Sequence, residues 1–469
     1  MKSSHRLQSE RTPQIRRQME GNQDPFDIEN QHIPLATCMR DELSKLSPQP
    51  PMVCCIYRVP DRLRHVNEKV YTPQVVSIGP LHHGKQSLKA MEEHKKRYLQ
   101  GFLKRTRVSL EEYVKKVKYH EAKLRSCYEE SIKFNSDEFV RIILVDAAFI
   151  IELLLRICRE RFNIIGLENY ENDRIFNKPW LIHYIAPDMQ LLENQLPFFI
   201  LEDLFDPDII TVSSNSKKLS MINLSYEFLT MTLALEGAED SLKRISSSSS
   251  NPKVEHFLDF IRTLHLPILE ESDQSNEGPS KSIMTTPCIT KLHQAGVKFK
   301  LGSSRNLFDI RFNDGILEIP KLQIHDYTEL TLRNLLAFEQ CHCQNNYISD
   351  YVSLMDDFVN TEKDVEFLLQ DGIVENMLGD FNEVCTLINN LGRGVSVDRD
   401  SFYFATLSER LNIYCRKPWN RWKANLRQNY FNTPWATISV IAAVLLLILT
   451  CIQAVCSIIS VMPSKNQRH

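Results

Sequence analysis

Residues 139–161 read FVRIILVDAAFIIELLLRICRER, and the way this run folds decides what kind of protein surrounds it. As a strand, RIILVDAA would offer Asp146 as the partner carboxylate that phosphate-loop enzymes place at a strand end. As a helix, it is a core element with no such role. The apolar run exceeds 20 residues, whereas buried strands usually span about 4–8. Arg141, Glu152, Arg156 and Arg159 also fall on one narrow stripe at helical spacing. The pattern predicts a central buried helix.

The choice matters because of what lies upstream. Val75 to Gln86 read VVSIGPLHHGKQ. Gly79, four residues, then Gly84-Lys85 come one residue short of a phosphate-cradling loop, and VVSI could be the strand before it. In such a loop backbone N–H groups wrap the phosphates, the lysine neutralises charge, and a Ser or Thr hydroxyl ligates magnesium. Gln86 stands where that hydroxyl belongs, and an amide is a poor ligand for a hard cation. Pro80 removes one N–H from the nest. No alternating strand and helix series exists to build a parallel sheet. The stretch is therefore read as a structural turn.

His82 and His83 are read as residues of that turn whose imidazoles cap backbone groups. A metal would need further ligands, and the nearby His94 has no second ligand at i+4. Cys54-Cys55 and Cys341-His342-Cys343 lack the two-plus-two spacing of a zinc site. Neither a Gly-x-Ser-x-Gly elbow, a His-Glu-x-x-His pair nor a dinucleotide fingerprint appears. No residue is assigned to catalysis, to a cofactor or to a metal.

Further out, helical patterns dominate. In SLKAMEEHKKRYLQGFLKR (87–105), Leu88, Met91, Tyr98, Leu99 and Phe102 share one face. Lys95, Lys96, Arg97, Lys104 and Arg105, interspersed with Glu92 and Glu93, read as a solvated face rather than a phosphate-binding patch. WLIHYIAPDMQLLENQLPFFILEDLF (180–205) reads as two helical pieces divided by Pro187 and Pro197. Glu193 and Asn194, amid apolar neighbours, are expected to serve buried hydrogen bonds. The one strong β signal is NLFDIRFNDGILEIPKLQI (306–324), where alternating runs flank Asp314-Gly315 and predict a hairpin near 305–324. Polar mobile loops are expected near 236–253 and 270–290, around an amphipathic helix at 254–266. Helical patterns return from Tyr327 to about Asn390. Residues 1–35 carry no apolar core of a secretory signal, and residues 1–49 are expected to be a disordered arm.

The 469 residues are 43% hydrophobic and 25% charged, with a net charge of −3, a balance that gives no case for nucleic acid as partner. The 12 cysteines are scattered and form no disulfide framework. Trp435 to Met462 contain no charged residue, and about 20 apolar residues suffice to cross a bilayer core. This stretch predicts a transmembrane helix at 435–462 that engages the lipid bilayer, followed by a short tail at 463–469. Arg416, Lys417, Arg421, Lys423 and Arg427 precede it, and only Lys465 and Arg468 follow. The positive-inside bias then keeps the N-terminal domain in the cytosol, as in a tail-anchored, single-pass protein. The glycosylation triplet Asn223-Leu224-Ser225 would stay unmodified there.

Several stretches then occur in a telling order: CCIYRVP, YTPQVVSIGPLHHGKQSLKAMEEHKKRYL, LLENQLPFFILEDLF, DGIVENMLGDFNEVCTLINNLGRGV and NTPWATISVIAAVLLLILTCIQAV. Together they resemble the plant membrane family known as domain of unknown function 247, from about Cys54 to the C-terminus. The family's usual aromatic in Gly-Pro-x-His-His-Gly is Leu81 here. The resemblance implies a plant protein with a terminal membrane span and no established catalytic activity. Some members lie at grass self-incompatibility loci as proposed pollen determinants, so it suggests a recognition or signalling role without implying that process for this chain. The expectation is a mainly α protein with a small β hairpin: a multi-helix cytosolic domain at 50–430 plus one C-terminal transmembrane helix. It is expected to act as a non-enzymatic interaction protein with an unidentified protein partner. The alternatives are a membrane-tethered nucleotide-binding enzyme using Gly79 to Gln86 through Lys85, and a passive membrane scaffold.

Overall fold

The computed structural model describes residues 32–44, 54–165, 167, 173–178, 180–212, 219–233, 239–247, 253–267, 285–398, 400–417 and 434–461. Residues 1–52 and 53–469 form separate compact units. In the first, α1 (His32–Ser44) is helical although sequence placed it in the arm; its Leu35, Met39 and Leu43 are exposed. The rest of the expected arm lies outside the described residues.

In the second unit α2 (Lys89–Thr106) and α3 (Leu110–Tyr119) pack along α4 (Ser136–Ile157). A capping box starts α4: Glu138 N–H donates to Asn135 Oδ1 at 2.9 Å and Asn135 N–H to Glu138 Oε2 at 3.4 Å. Two orphan donors of the first turn are thereby satisfied. Phe139, Ile143, Ala147, Phe149 and Leu153 are fully buried, so the helical reading of the decisive stretch holds. Each such Leu, Ile or Phe contributes about 1.5–3 kcal/mol through burial.

The chain continues through the two-residue strand β1 (Ile164–Ile165), α5 (Trp180–Asp188), α6 (Phe198–Leu204) and β2 (Thr211–Val212), which pairs with β1. Pro187 sits inside the last turn of α5 rather than between helices, while Pro197 caps α6. Then come α7 (Met221–Leu233), α8 (Glu239–Ser247) and α9 (Phe257–His265). α8 occupies part of the loop expected at 236–253, and its Ser241 and Ile245 are buried. Residues 236–238 and 248–252 of that loop, and 270–284 of the one expected at 270–290, lie outside the described residues, and the end of the second enters the helix Ile289–Gln294. The glycosylation triplet lies in α7, with Ser225 buried and Asn223 half-buried.

After α10 (Ile289–Gln294) come β3 (Lys298–Leu301), β4 (Arg311–Asn313) and β5 (Ile316–Ile319). The predicted hairpin is present: Asn313 pairs with Ile316 across Asp314 (φ 49°) and Gly315 (φ 79°). Leu317 and Ile319 face the core. Sequence did not foresee β3, which pairs parallel with β5 in the order β3-β5-β4. The end of the expected hairpin region, β6 (Leu322–Ile324), pairs instead with β7 (Val374–Asn376) in a separate sheet. α11 (Thr328–His342), α12 (Tyr347–Phe358), α13 (Glu362–Gln370), α14 (Phe381–Leu391) and α15 (Ala405–Arg416) complete the domain. Finally, α16 (Pro434–Val461) contains Ile438–Ile458, with a mean hydropathy of 2.7 and none of it buried. It is long and apolar enough to cross a membrane. The fold is mainly α with a small β part.

Candidate functional site

The VVSI segment forms no strand and joins no sheet. Its N–H groups donate to side chains instead. Gln74, Val75 and Val76 donate to the Asp188 carboxylate at 2.8, 2.7 and 2.8 Å. Ile78 donates to Asn194 Oδ1 at 2.7 Å, and Gly79 to Asp146 Oδ2 at 2.8 Å. Asn194 Nδ2 donates back to the carbonyls of Val76 and Asp188. Because α5 ends at Asp188 and α6 starts after Pro197, the backbone between is non-helical and its polar side chains turn inward. The backbone donors leading into the loop, and the first donor of the loop itself at Gly79, are thus taken by the chain's own acids and amides. Burial raises the Asp188 pKa to about 6, against the pull of its three N–H donors.

Asp146 lies on α4, not at a strand end, and its side chain is buried against Lys95. This corrects the solvated-face reading of Lys95. The ammonium is fully buried, 2.5 Å from Asp146 Oδ1, 2.6 Å from Glu92 Oε1 and 2.8 Å from the Ser77 carbonyl. Burial acts against its charge, but Asp146 and Glu92 outweigh that and hold the Lys95 pKa above its ordinary value. Arg105 likewise leaves the solvated face to donate to buried Glu152 at 2.7 Å. Lys96 and Arg97 remain exposed.

Glu193 is the second anchor, as expected for a buried polar residue. It accepts from Val59 N–H at 2.8 Å, from Arg58 at 3.1 Å and from Arg64. His82 also meets it, which corrects the backbone-capping reading: Nε2 lies 3.1 Å from Glu193 Oε2, off the line of a good hydrogen bond. His83 Nδ1 lies 3.9 Å from Glu92 Oε2, and its ring stands edge-on to Phe134. The turn itself is present, with His83 N–H donating to Pro80 O and Lys85 N–H to His82 O. Burial alone would raise the Glu193 pKa; contacts from His82, Val59 N–H and Arg64 overcome it and pull the carboxyl down to about 2.

Since that value lies below the ordinary 4.5, the stabilisation is complete above pH 4.5 and is lost as pH falls towards 2. Urea unfolding is expected to show wild type losing stability relative to Glu193→Gln between about pH 5 and pH 3. A constant gap between the two would contradict the assignment.

Sequence reasoning singled out Glu193, Asn194 and Asp146 but missed Asp188, Arg58 and Arg64. Lys85 is exposed at the rim of a cavity of about 370 Å³ beside Gly84. Gln86 opens a 3₁₀ turn.

Residues 56–449 match the family described as a plant protein of unknown function, DUF247. The chain belongs to that family. It is 33% identical over 437 residues to the UPF0481 protein At3g47200 of Arabidopsis thaliana, covering 88% of each chain. It is also 24% identical over 487 residues to the putative UPF0481 protein At3g02645 of the same plant, covering 85% of this chain and 89% of that one. No solved structure matches. In this DUF247 domain no three His, Cys, Asp or Glu side chains gather as a metal-ligand set among the described residues. His342 Nδ1 lies 3.1 Å from the Tyr57 hydroxyl, which donates to the Cys54 carbonyl. The DUF247 turn carries Leu81 packed against the core, and its carbonyl accepts from Arg58 at 3.2 Å.

Proposed function

We propose that this DUF247 chain is a single-pass membrane protein whose helical domain works in the cytosol by non-enzymatic recognition of a protein partner. The observation that carries this reading is the fate of the Gly79 stretch. The backbone donors of Val76 and Ile78 at its entry go to Asp188 and Asn194, and that of Gly79 goes to Asp146, so the start of the feature most like a catalytic loop serves to hold the fold together. The membrane half of the reading is supported by the exposed apolar helix α16 and by Arg416, Lys417, Arg421, Lys423 and Arg427 ahead of it.

Proximity labelling in plant cells, with the labelling enzyme fused to the N-terminus of the full chain, tests the proposal. Cytosolic proteins enriched above a control that carries only the α16 anchor are expected. An enrichment equal to the anchor control would leave a passive scaffold and sink the recognition reading. Protease treatment of sealed membranes tests the topology, and a protected helical domain would overturn it.

A further inference from the structure

The cavity beside the Gly84 turn measures about 370 Å³ and lies between α2 and the first turns of α4. That volume falls within the range of small-molecule sites, roughly 300–1,000 Å³. Its lining is net positive, with four cations against two carboxylates. Lys85, Lys89, Lys96 and Arg141 line it, all exposed, and none forms an ion pair with a described residue. Two acids also line it: Glu92 is paired with Lys95, while Glu138 accepts the Asn135 N–H of the α4 capping box and keeps its charge, so the cations outnumber the acids.

The inner wall has a different character. Leu88, Phe134, Ile142 and Val145 give it an apolar surface. Ser77 Oγ and His83 Nδ1 are buried at this lining with no hydrogen-bond partner, while the buried Glu92 Oε1 meets the Lys95 ammonium at 2.6 Å. Ser77 is only 1% exposed, and a buried hydroxyl left unpaired destabilises the fold unless something else satisfies it. Unpaired cations at the rim, with orphan polar atoms and apolar side chains sharing the inner wall, define one kind of guest.

We propose that this cavity binds a small organic anion, an apolar ring or short chain ending in a carboxylate. The carboxylate takes charge-assisted hydrogen bonds from the lysines and Arg141 and reaches Ser77 Oγ. The apolar body covers Phe134, Ile142 and Val145. Inorganic phosphate would leave that wall bare. The neighbouring backbone donors that might favour phosphate are held by Asp146, Asp188 and Asn194. Binding requires no bond to form or break, and it stands independently of any protein partner.

Isothermal titration of the full chain in nanodiscs, with empty nanodiscs subtracted, tests the site. The probes are 1-naphthoate, its uncharged counterpart 1-naphthamide, and inorganic phosphate. Saturable one-to-one binding of naphthoate is expected, roughly tenfold or more tighter than naphthamide. The paired charge reversal Lys96→Glu with Arg141→Glu should weaken naphthoate by about tenfold or more, with naphthamide unchanged. Ser77→Ala removes no internal hydrogen bond, so it should keep the fold while weakening naphthoate about fivefold. Any of four results overturns the proposal: no saturable naphthoate binding, equal affinity for naphthoate and naphthamide, undiminished naphthoate binding in both variants, or phosphate binding as tightly as naphthoate.

Discussion

Asp146→Ala is expected to destabilise the folded domain by about 3–5 kcal/mol, the effect of removing one partner from a buried ion pair. The wild-type carboxylate, 1% exposed, neutralises the fully buried Lys95 ammonium and accepts the Gly79 N–H. Truncation leaves the cation with only Glu92 and the Ser77 carbonyl and orphans the Gly79 N–H. The test is the urea midpoint of the full chain in nanodiscs, followed by far-ultraviolet circular dichroism. Replacing both partners with apolar residues, Lys95→Met with Asp146→Leu, should recover part of the loss, because no buried charge is then left unpaired. A loss below about 1 kcal/mol for Asp146→Ala would mean that the pair is solvated and the packing of α2 on α4 differs from that described.

Gly79→Ala is expected to cost about 3 kcal/mol or more, from overpacking and left-handed strain together. A Cβ at this position would sit 2.6 Å from the Gln195 carbonyl oxygen and 3.0 Å from the Tyr128 hydroxyl, on a backbone with φ 73°. The carbonyl cannot swing away, because it accepts from Tyr128 at 3.1 Å and the Gln195 side chain is tied to Met189 and Leu191. Gly84 supplies the control. Its φ is 84° but a Cβ there meets nothing within 4 Å, so Gly84→Ala should cost only about 1–2 kcal/mol from conformation alone. Equal losses in the two variants would refute the close approach at Gly79.

The central helix was legible because length and periodicity agreed, and the hairpin because Asp314-Gly315 names its own turn type. Lys95 could have been read too. Met91, Lys95, Tyr98 and Phe102 recur at spacings of four, three and four, which puts the lysine on the apolar stripe. Local charge mixing with Glu92 and Glu93 hid it, and its partner Asp146 lies far along the chain in an almost wholly apolar run. Glu193 and Asn194 announced themselves as polar residues in apolar company. Their partners did not, since backbone N–H groups at Val59 and Ile78 carry no residue signature. β3 was hidden for a similar reason: parallel pairing with β5 is a long-range choice, and KFKL reads equally well as an exposed turn. His82 was misjudged because its carboxylate partner, Glu193, is distant in sequence.

Under the proposed function the stretch from Gly79 to Gln86 acts as a structural latch, with Gly79 held by Asp146 and His82 set against Glu193, rather than as a phosphate cradle. Mg-ATP and Mg-GTP titrated into the full chain in nanodiscs, with phosphate release measured in parallel, address it most directly. No saturable binding and no hydrolysis above empty nanodiscs are predicted. Saturable nucleotide binding with phosphate release, both abolished by Lys85→Ala, would contradict it.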